Sequence, residues 1–529
     1  VSIDPAPADR PPRPSPFSPL RHGPFRAVWL ANLISNFGGL IQSVGAAWLM
    51  TSLTGSAGLV ALVQASTALP VMLFSLAAGA IADNYDKRTV MLVAQFFMTT
   101  VSVVLAAFTY FGLITPWTLL TFTFLIGCGA ALNNPAWQSS VRDMVPRHDL
   151  PQAIALNSVG MNLARSVGPA LGGMIVAAAG AAAAFTANAF SYLALILVLL
   201  RWRPKTHARA LPPESLGAAM GAGIRFVAMS PRIRTLLARA FMFGFAGSAV
   251  QALMPLVARD LVGGGPVTFG LLVGAFGAGA VGGGLFGSRI RHALGAETMV
   301  RLGFIGFAAS ALATAFSSTT ALTMAALALG GACWLLVLSS LNVAVQISSP
   351  RWVVGRTLAL YQTSAFGGMA TGSWTWGVLA EQFGIGDALA FSALVHLVAV
   401  LVGLRWAMPD GEDANLEPLD RWKHPRMGME IQHRSGPIVV TIEYRIAEED
   451  VPEFLALMAE RRRIRRRDGA RHWHLLRDLA EPELWTERYD TPTWLDYVRQ
   501  AQRITHADAR ILDRLRSLHR GDAPPRVRR

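Results

Sequence analysis

Residues 79–88 read GAIADNYDKR. The stretch from Gly58 to Ala82 leading into them carries no charged side chain, and a second apolar stretch, 89–112, follows at once. About 20 apolar residues suffice to cross the hydrocarbon core of a bilayer, so the polar turn reads as the loop joining two membrane helices. Its bases, Lys87 and Arg88, place it on the cytoplasmic side, where Lys and Arg are enriched.

The same pattern repeats outward in both directions. At 529 residues, 52% hydrophobic and 15% charged, the chain is too long and too apolar for one soluble core. Approximate spans fall at 25–50, 58–82, 89–112, 117–140, 154–179, 182–201, 235–258, 268–288, 298–317, 321–346, 357–380 and 387–407, which makes twelve. An even number puts both termini on one side. Of the 24 bases before residue 408, only Arg259 falls in an outward connection and only Arg165 lies deep in a span. Both termini are therefore expected in the cytoplasm.

Connections are short except 202–234, which ends in the amphipathic stretch AGIRFVAMSPRIRTLLARA, with Arg225, Arg232 and Arg234 expected to face anionic lipid. The expected organisation is a disordered cytoplasmic tail (1–24), a six-helix half (25–201), a cytoplasmic middle loop with an amphipathic helix (202–234) and a second six-helix half (235–407). A linker (408–435), a small cytoplasmic domain (436–519) and a tail (520–529) follow. A 6+6 pseudo-symmetric all-α bundle is the usual build of a secondary transporter, with its substrate site between the halves near the bilayer midplane.

The opening turn now has a chemical reading. Gly79 lets a neighbouring helix approach, Asp83 at a helix end can accept hydrogen bonds or pair with an arginine, and Lys87 and Arg88 anchor the next helix at the headgroups. Such a loop can latch the two halves in one conformation and release them in another. The pattern G-x-x-x-D-x-x-x-[RK]-[RK] after the second of twelve helices resembles the signature loop of the major facilitator superfamily. Its counterpart in the second half, GGGLFGSRIRHALG, keeps Arg289 and Arg291 but has Ser288 where the acid would stand. In the fifth span, NLARSVGPALGGMI sets out Gly168, Pro169, Gly172 and Gly173, resembling the glycine-proline motif of exporters in that superfamily. Gly279, Gly283 and Gly287 of the eighth span are the expected partner surface.

Three further stretches, NPAWQSSVRDMVPRHDLPQAIALNS, LMPLVARDLVGGGP and SSLNVAVQISSPRWVVGRTLALYQTSAFGGMATGSW, resemble the enterobactin-exporter-like, or transmembrane secretion effector, branch of the superfamily. The resemblance implies export of a small amphipathic, siderophore-like or drug-like molecule across a bacterial inner membrane, with proton antiport. No acid lies at the centre of a span, so the proton coupling rests on the resemblance alone; His396 is the one titratable group deep in the last span.

Polar residues inside spans usually line a bundle interior. The candidate substrate cavity comprises Asn32, Asn36, Gln42, Gln64, Asn157, Asn162, Arg165, Gln251, Gln346, Tyr361 and Gln362. Arg165 differs from the rest because a guanidinium stays ionised and must find a carboxylate, carbonyls or water. Cys128 and Cys333 sit in apolar runs without metal-like spacing, so no metal or cofactor is expected.

After residue 407 the composition turns polar and nearly neutral, with 23 bases against 22 acids. The order β-α-β-β-α-α resembles the ferredoxin-like domain of antibiotic-biosynthesis monooxygenases, which often pairs through its sheets, so dimerisation through this domain is expected. His472, His474 and His506 form no convergent set, and the expectation is a regulatory module without catalytic residues, or, as the alternative, an enzyme or sensor tethered to a transport-like membrane domain. RRRIRRR at 461–467 reads as a solvated or lipid-facing helix face, with no nucleic-acid role.

Overall fold

The computed structural model describes residues 17–146, 148–203, 216–407, 415–417, 419 and 429–529, without the side chains of Asp83, Asn84, Leu216 and Ser288. Among the described residues, twelve α-helices precede the polar C-terminal region. They are α1 (Gly23–Leu53), α2 (Ala57–Asn84), α3 (Lys87–Tyr110), α4 (Pro116–Met144), α5 (Leu150–Arg201), α6 (Leu216–Ala228), α7 (Pro231–Leu256), α8 (Pro266–Leu294), α9 (Ala296–Ala315), α10 (Thr320–Ile347), α11 (Val354–Phe383) and α12 (Ile385–Arg405). Among the described residues, ten helices are long and apolar enough to cross a membrane. Side chains fix where several begin: Ser56, Asp86 and Thr115 accept hydrogen bonds from the backbone of Leu59, Thr89 and Thr118, and proline occupies the first turn of α4 and α8.

The 52-residue α5 is two arms that meet at Gly180, whose φ of 76° only glycine adopts without strain. Packing against α1 gives their directions. Along the first arm, Gly160 meets Trp29, Gly168 meets Leu40 and Gly172 meets Val44, so the two helices advance together. On the second arm Ala184 meets Gly45 and Ser191 meets Gly38, so it runs the opposite way. The chain therefore reverses at Gly180, as expected for separate fifth and sixth spans.

Two compact units are present, one comprising Val1–Pro213, Arg239–Ser339 and Gln362–Arg405 and the other Glu214–Ala238, Ser340–Tyr361 and Trp406–Arg529. In the first, the segment Ser18–Arg21 is a short helical turn that docks on the start of α5. The Ser18 hydroxyl donates to Asp149 Oδ1 at 2.6 Å, and the His22 ring bonds Oδ2 at 2.8 Å. Residues 17–24 are thus structured, although the sequence reading places them in a disordered tail; residues 1–16 lie outside the described ones. The cause is Asp149, a buried carboxylate that those two partners satisfy.

In the second unit α6 ends at a turn, and α7 begins directly at Pro231, so Arg232 and Arg234 sit in the first turn of α7 and not on a surface helix. The C-terminal region contributes β1 (Ile438–Arg445), α13 (Val451–Asp468), β2 (Arg471–Arg477), β3 (Leu484–Thr491), α14 (Trp494–Gln502), α15 (His506–Ser517) and β4 (Arg526–Arg528). Residues 526–528, expected in a tail, pair antiparallel with β1 and complete a sheet of order β2-β3-β1-β4. Alternation sends Val440, Ile442, Tyr444, Trp485 and Tyr489 to the core, where Phe454, Met458, Trp494 and Leu515 meet them.

Candidate functional site

Pairings between helix ends sort the connections onto two ends of the first unit. At the end carrying the 84–87 turn, Lys87 Nζ bonds Asp143 Oδ2 of α4 at 2.8 Å, and the Arg88 guanidinium donates to the carbonyls of Leu199 and Leu200, both at 2.8 Å. Arg88 thereby caps the last turn of α5. Both bases, expected at the headgroups, are spent inside the first half. Asp83 closes α2, with its side chain outside the described residues, and a Cβ on Gly79 would meet nothing within 4 Å. In the second half the buried Arg239 grips Glu297 at 2.6 and 2.9 Å, and Arg301 joins from the next turn of α9 at 2.6 Å. The sequence reading missed this triad, because Arg239 lies close to an expected span end and drew no notice.

The opposite end carries contacts between the halves. Glu381 of α11 accepts from the Ser56 hydroxyl and from the Gly58 amide at 3.1 Å, at the start of α2. Arg259 donates to the Thr51 carbonyl of α1 at 2.7 Å while pairing with Asp260 at 2.6 Å, and Trp48 stacks on Phe269 at 6.2 Å.

Between the two ends, α5 packs backbone to backbone on both sides. Cβ atoms on Gly168 and Gly172 would press on Leu40 and Ile41 of α1 at 3.1 and 3.0 Å. One on Gly173 would lie 2.5 Å from the Pro266 carbonyl and 3.2 Å from Gly270 Cα, both on α8. The seam continues where Gly270 faces the Pro169 carbonyl and Gly277 faces the Arg165 carbonyl. Gly279 and Gly283, expected to meet α5, instead lie against Ala328 and Ala332 of α10, and Gly287 against Leu336. They occupy the other side of α8, about 180°, 220° and 260° round from Gly270 at about 100° per residue.

Arg165 falls in the angle between the α1-facing glycines and the α8-facing Pro169. Leu163, Val167 and Met174 point the other way and are 49%, 41% and 49% exposed, which marks the lipid side of α5. Arg165 is also exposed, so its open space lies on the interior side, and among the described residues its guanidinium has no hydrogen-bond or ion-pair partner.

The other candidates divide. Asn36, Gln64, Asn157, Asn162 and Gln251 are half-buried and Gln362 is exposed in the first unit. Asn157 accepts from Trp137 Nε1 at 3.2 Å, a helix-to-helix bond. Asn32 is buried, and so is Gln42, whose Oε1 takes bonds from Ser102 at 3.0 Å and from Asn188. Gln42 therefore joins α1, α3 and the second arm of α5. Tyr361, buried, and Gln346, exposed and bonded to Asn342 at 2.6 Å, belong to the second unit. His396 is wholly buried, stacked on Phe307 at 5.0 Å with its Nδ1 on the Ser392 carbonyl, as a structural histidine would be.

The C-terminal sheet buries Glu487 with Arg461 at 2.7 Å, Arg465 at 3.3 Å and Trp473 Nε1 at 3.0 Å. Burial pushes its carboxyl up, but the two guanidiniums outweigh that and hold it below the ordinary range. Beside them, Arg461, Arg465, Asp468 and Asp508 line a cavity of about 20 Å³, room for a single water and not for a substrate. His472 lies beside Asp490 on the sheet and His506 opens α15; no metal-binding group of three occurs among the described residues.

The sequence profile described as transmembrane secretion effector matches residues 14–529. The chain belongs to that family. Its apolar helices are those of a multi-pass membrane protein, and the relatives it matches are named as transporters and efflux pumps. It is 30% identical over 164 residues to the staphyloferrin A transporter of Staphylococcus aureus (strain NCTC 8325 / PS 47), a match covering 31% of this chain and 41% of that one. It is also 30% identical over 226 residues to the multidrug efflux pump Tap of Mycobacterium tuberculosis (strain ATCC 25618 / H37Rv), covering 40% and 53%. The chain thus spans about half the length of these relatives or less. A bacterial homologue of the human lysosomal transporter Spinster, solved inward-facing and occupied, superposes with a TM-score of 0.59 at 13% identity, covering 73% of this chain and 97% of that one. This likeness shows the fold alone.

Proposed function

We propose that the chain exports a small amphipathic, siderophore-like or drug-like molecule from the cytoplasm by alternating access between two six-helix halves. The observation that carries the reading is the interior Arg165, unpaired and open beside the glycine seam of α5 and α8. Its placement favours an acidic substrate, since an ionised guanidinium inside a membrane bundle must be compensated. The relatives named for staphyloferrin A and for multidrug efflux support a small-molecule cargo. The positive-inside pattern supports twelve crossings, with both termini and the 84–87 turn in the cytoplasm of a bacterium's inner membrane, so the Ser56 end faces outward.

The polar contacts that join the halves at the Ser56 end support a structure closed to the outside. The cycle then opens that end while the inner ends draw together at the loop of Gly79 and Asp83, with Lys87 and Arg88 bracing the first half behind it. Proton antiport drives it, on the strength of the superfamily resemblance. The C-terminal domain acts as a regulatory or dimerising module; its buried charges are spent on one another, Glu487 on Arg461 and Arg465, which supports that reading over a tethered enzyme. Cells expressing the chain should retain less of an acidic test compound than cells without it. Asp83→Asn should insert normally but export more slowly. Equal retention with and without the chain, across acidic, neutral and cationic compounds, would contradict export.

A further inference from the structure

Within the second unit, α13 lies against the turn between α6 and α7 and leaves a groove of about 340 Å³. Its walls are Ala228, Met229 and Pro231 on one side and Ala459, Arg462, Arg463 and Arg466 on the other. The α13 residues recur at three- and four-residue spacing, which sets them on one helix face. Arg463 fixes the geometry, donating to the Met229 carbonyl at 3.0 Å and pairing with Glu460 on its own helix. The Arg462 guanidinium lies 5.8 Å from the Trp473 ring centroid, and Arg466 has no ion-pair or hydrogen-bond partner among the described residues.

Among the described residues, no carboxylate lines the groove. Arg462 and Arg466, four apart on one face, repel each other, and helices are weakened by such like-charge pairs. A bound anion removes that cost. Arginines lining one groove can match the several oxygens of a phosphate group, and a volume near the lower end of small-ligand sites admits one.

Two features select the source of the phosphate. Pro231 begins α7, one of the helices long and apolar enough to cross a membrane, so one wall of the groove is the first turn of such a helix, the part that meets headgroups when the helix spans. Leu455, one turn before Ala459 on α13, is 42% exposed, and Ile224 on α6 is 52% exposed, so apolar surface flanks the arginines. A free phosphate has no use for that surface, whereas a phospholipid does. We infer that this groove binds the phosphate of an anionic phospholipid and so ties the C-terminal domain to the membrane surface. The inference rests on the proposed topology only for the leaflet that supplies the lipid.

The test uses the full chain in detergent, with binding read by native mass spectrometry and by thermal shift. The probes are phosphatidylglycerol, phosphatidylcholine and inorganic phosphate. The double variant Arg462→Gln/Arg466→Gln should bind phosphatidylglycerol about 30-fold more weakly, at roughly one arginine-lipid interaction lost per site. Binding of phosphatidylcholine should not change, and Arg→Lys at both positions should restore most of the affinity. If the double variant fails to fold, Arg466→Gln alone should still weaken the lipid, since Arg466 holds nothing else. Phosphate binding lost in the variant, with lipid binding intact, would overturn the lipid in favour of a soluble phosphate compound. Equal phosphatidylglycerol binding by wild type and both variants would overturn the site. None of these readouts involves transport, so a failure of export and a failure of this inference are told apart.

Discussion

Glu381, in the last turns of α11, accepts a hydrogen bond from the Gly58 amide at 3.1 Å and another from the Ser56 hydroxyl, closing the second half onto the start of α2. The neighbouring Gly377 allows this approach: a Cβ there would lie 2.7 Å from that of Ala61 and 2.9 Å from Gly58 Cα. Residues more than 300 positions apart thus form a polar latch on a glycine contact.

Glu381→Ala should weaken that latch. Hydrogen bonds to a charged group contribute about 1.5–3 kcal/mol, so the ratio of closed to open should fall by roughly tenfold or more. Thiol labelling of an introduced Ala61→Cys, with Cys128 and Cys333 replaced by serine, should quicken accordingly. An unchanged labelling rate would show that Glu381 does not hold this end shut.

The seam between α5 and α8 predicts a graded series. Gly173→Ala drives a methyl into the Pro266 carbonyl of α8, and Gly172→Leu drives a side chain into the α1 backbone; each should cost about 1–3 kcal/mol and lower both melting temperature and transport. Gly79→Ala, with nothing within 4 Å, should leave the melting temperature unchanged. Equal stability of all three variants would show that the seam is not close-packed.

Glu487 makes the C-terminal domain acid-sensitive in a defined direction. Its carboxyl is held below the ordinary range, so its contribution is full above the unfolded value, about 4.3, and is lost as pH falls through the lower folded value. Glu487→Gln leaves Arg461 and Arg465 buried without their counter-charge and should destabilise the domain by about 3–5 kcal/mol at neutral pH. Denaturant unfolding followed by tryptophan fluorescence checks this, since Trp473 and Trp485 sit in that core. A loss under 1 kcal/mol would contradict the assignment.

Much of the bundle was legible because membrane spans announce themselves in composition, and the 79–88 turn because its charges are concentrated between two apolar runs. The glycine motif of the fifth span is legible as a close-packing surface and the eighth span as its partner, but the face of that span is not. The eighth span carries small residues on two opposite faces, and spacing alone does not say which face meets α5 and which meets α10. Polar residues in spans were read as cavity candidates without distinction, yet Gln42 bonds Asn188, 146 positions away, and that pairing exists only once α5 doubles back at Gly180. Glu381 stands near a span end in the sequence; its use as a cap for α2 needs the two halves assembled.

The account turns on Arg165 as an interior charge met by substrate. Transport into everted membrane vesicles of a size-matched panel of acidic, neutral and cationic compounds, by wild type and by Arg165→Ala, tests this most directly. The wild type should accumulate acidic compounds best, and the variant, inserted at normal yield, should lose that preference by about tenfold or more, the scale of one charge-assisted contact. No accumulation of any compound by the wild type, or a proportional loss across the whole panel in the variant, would contradict it.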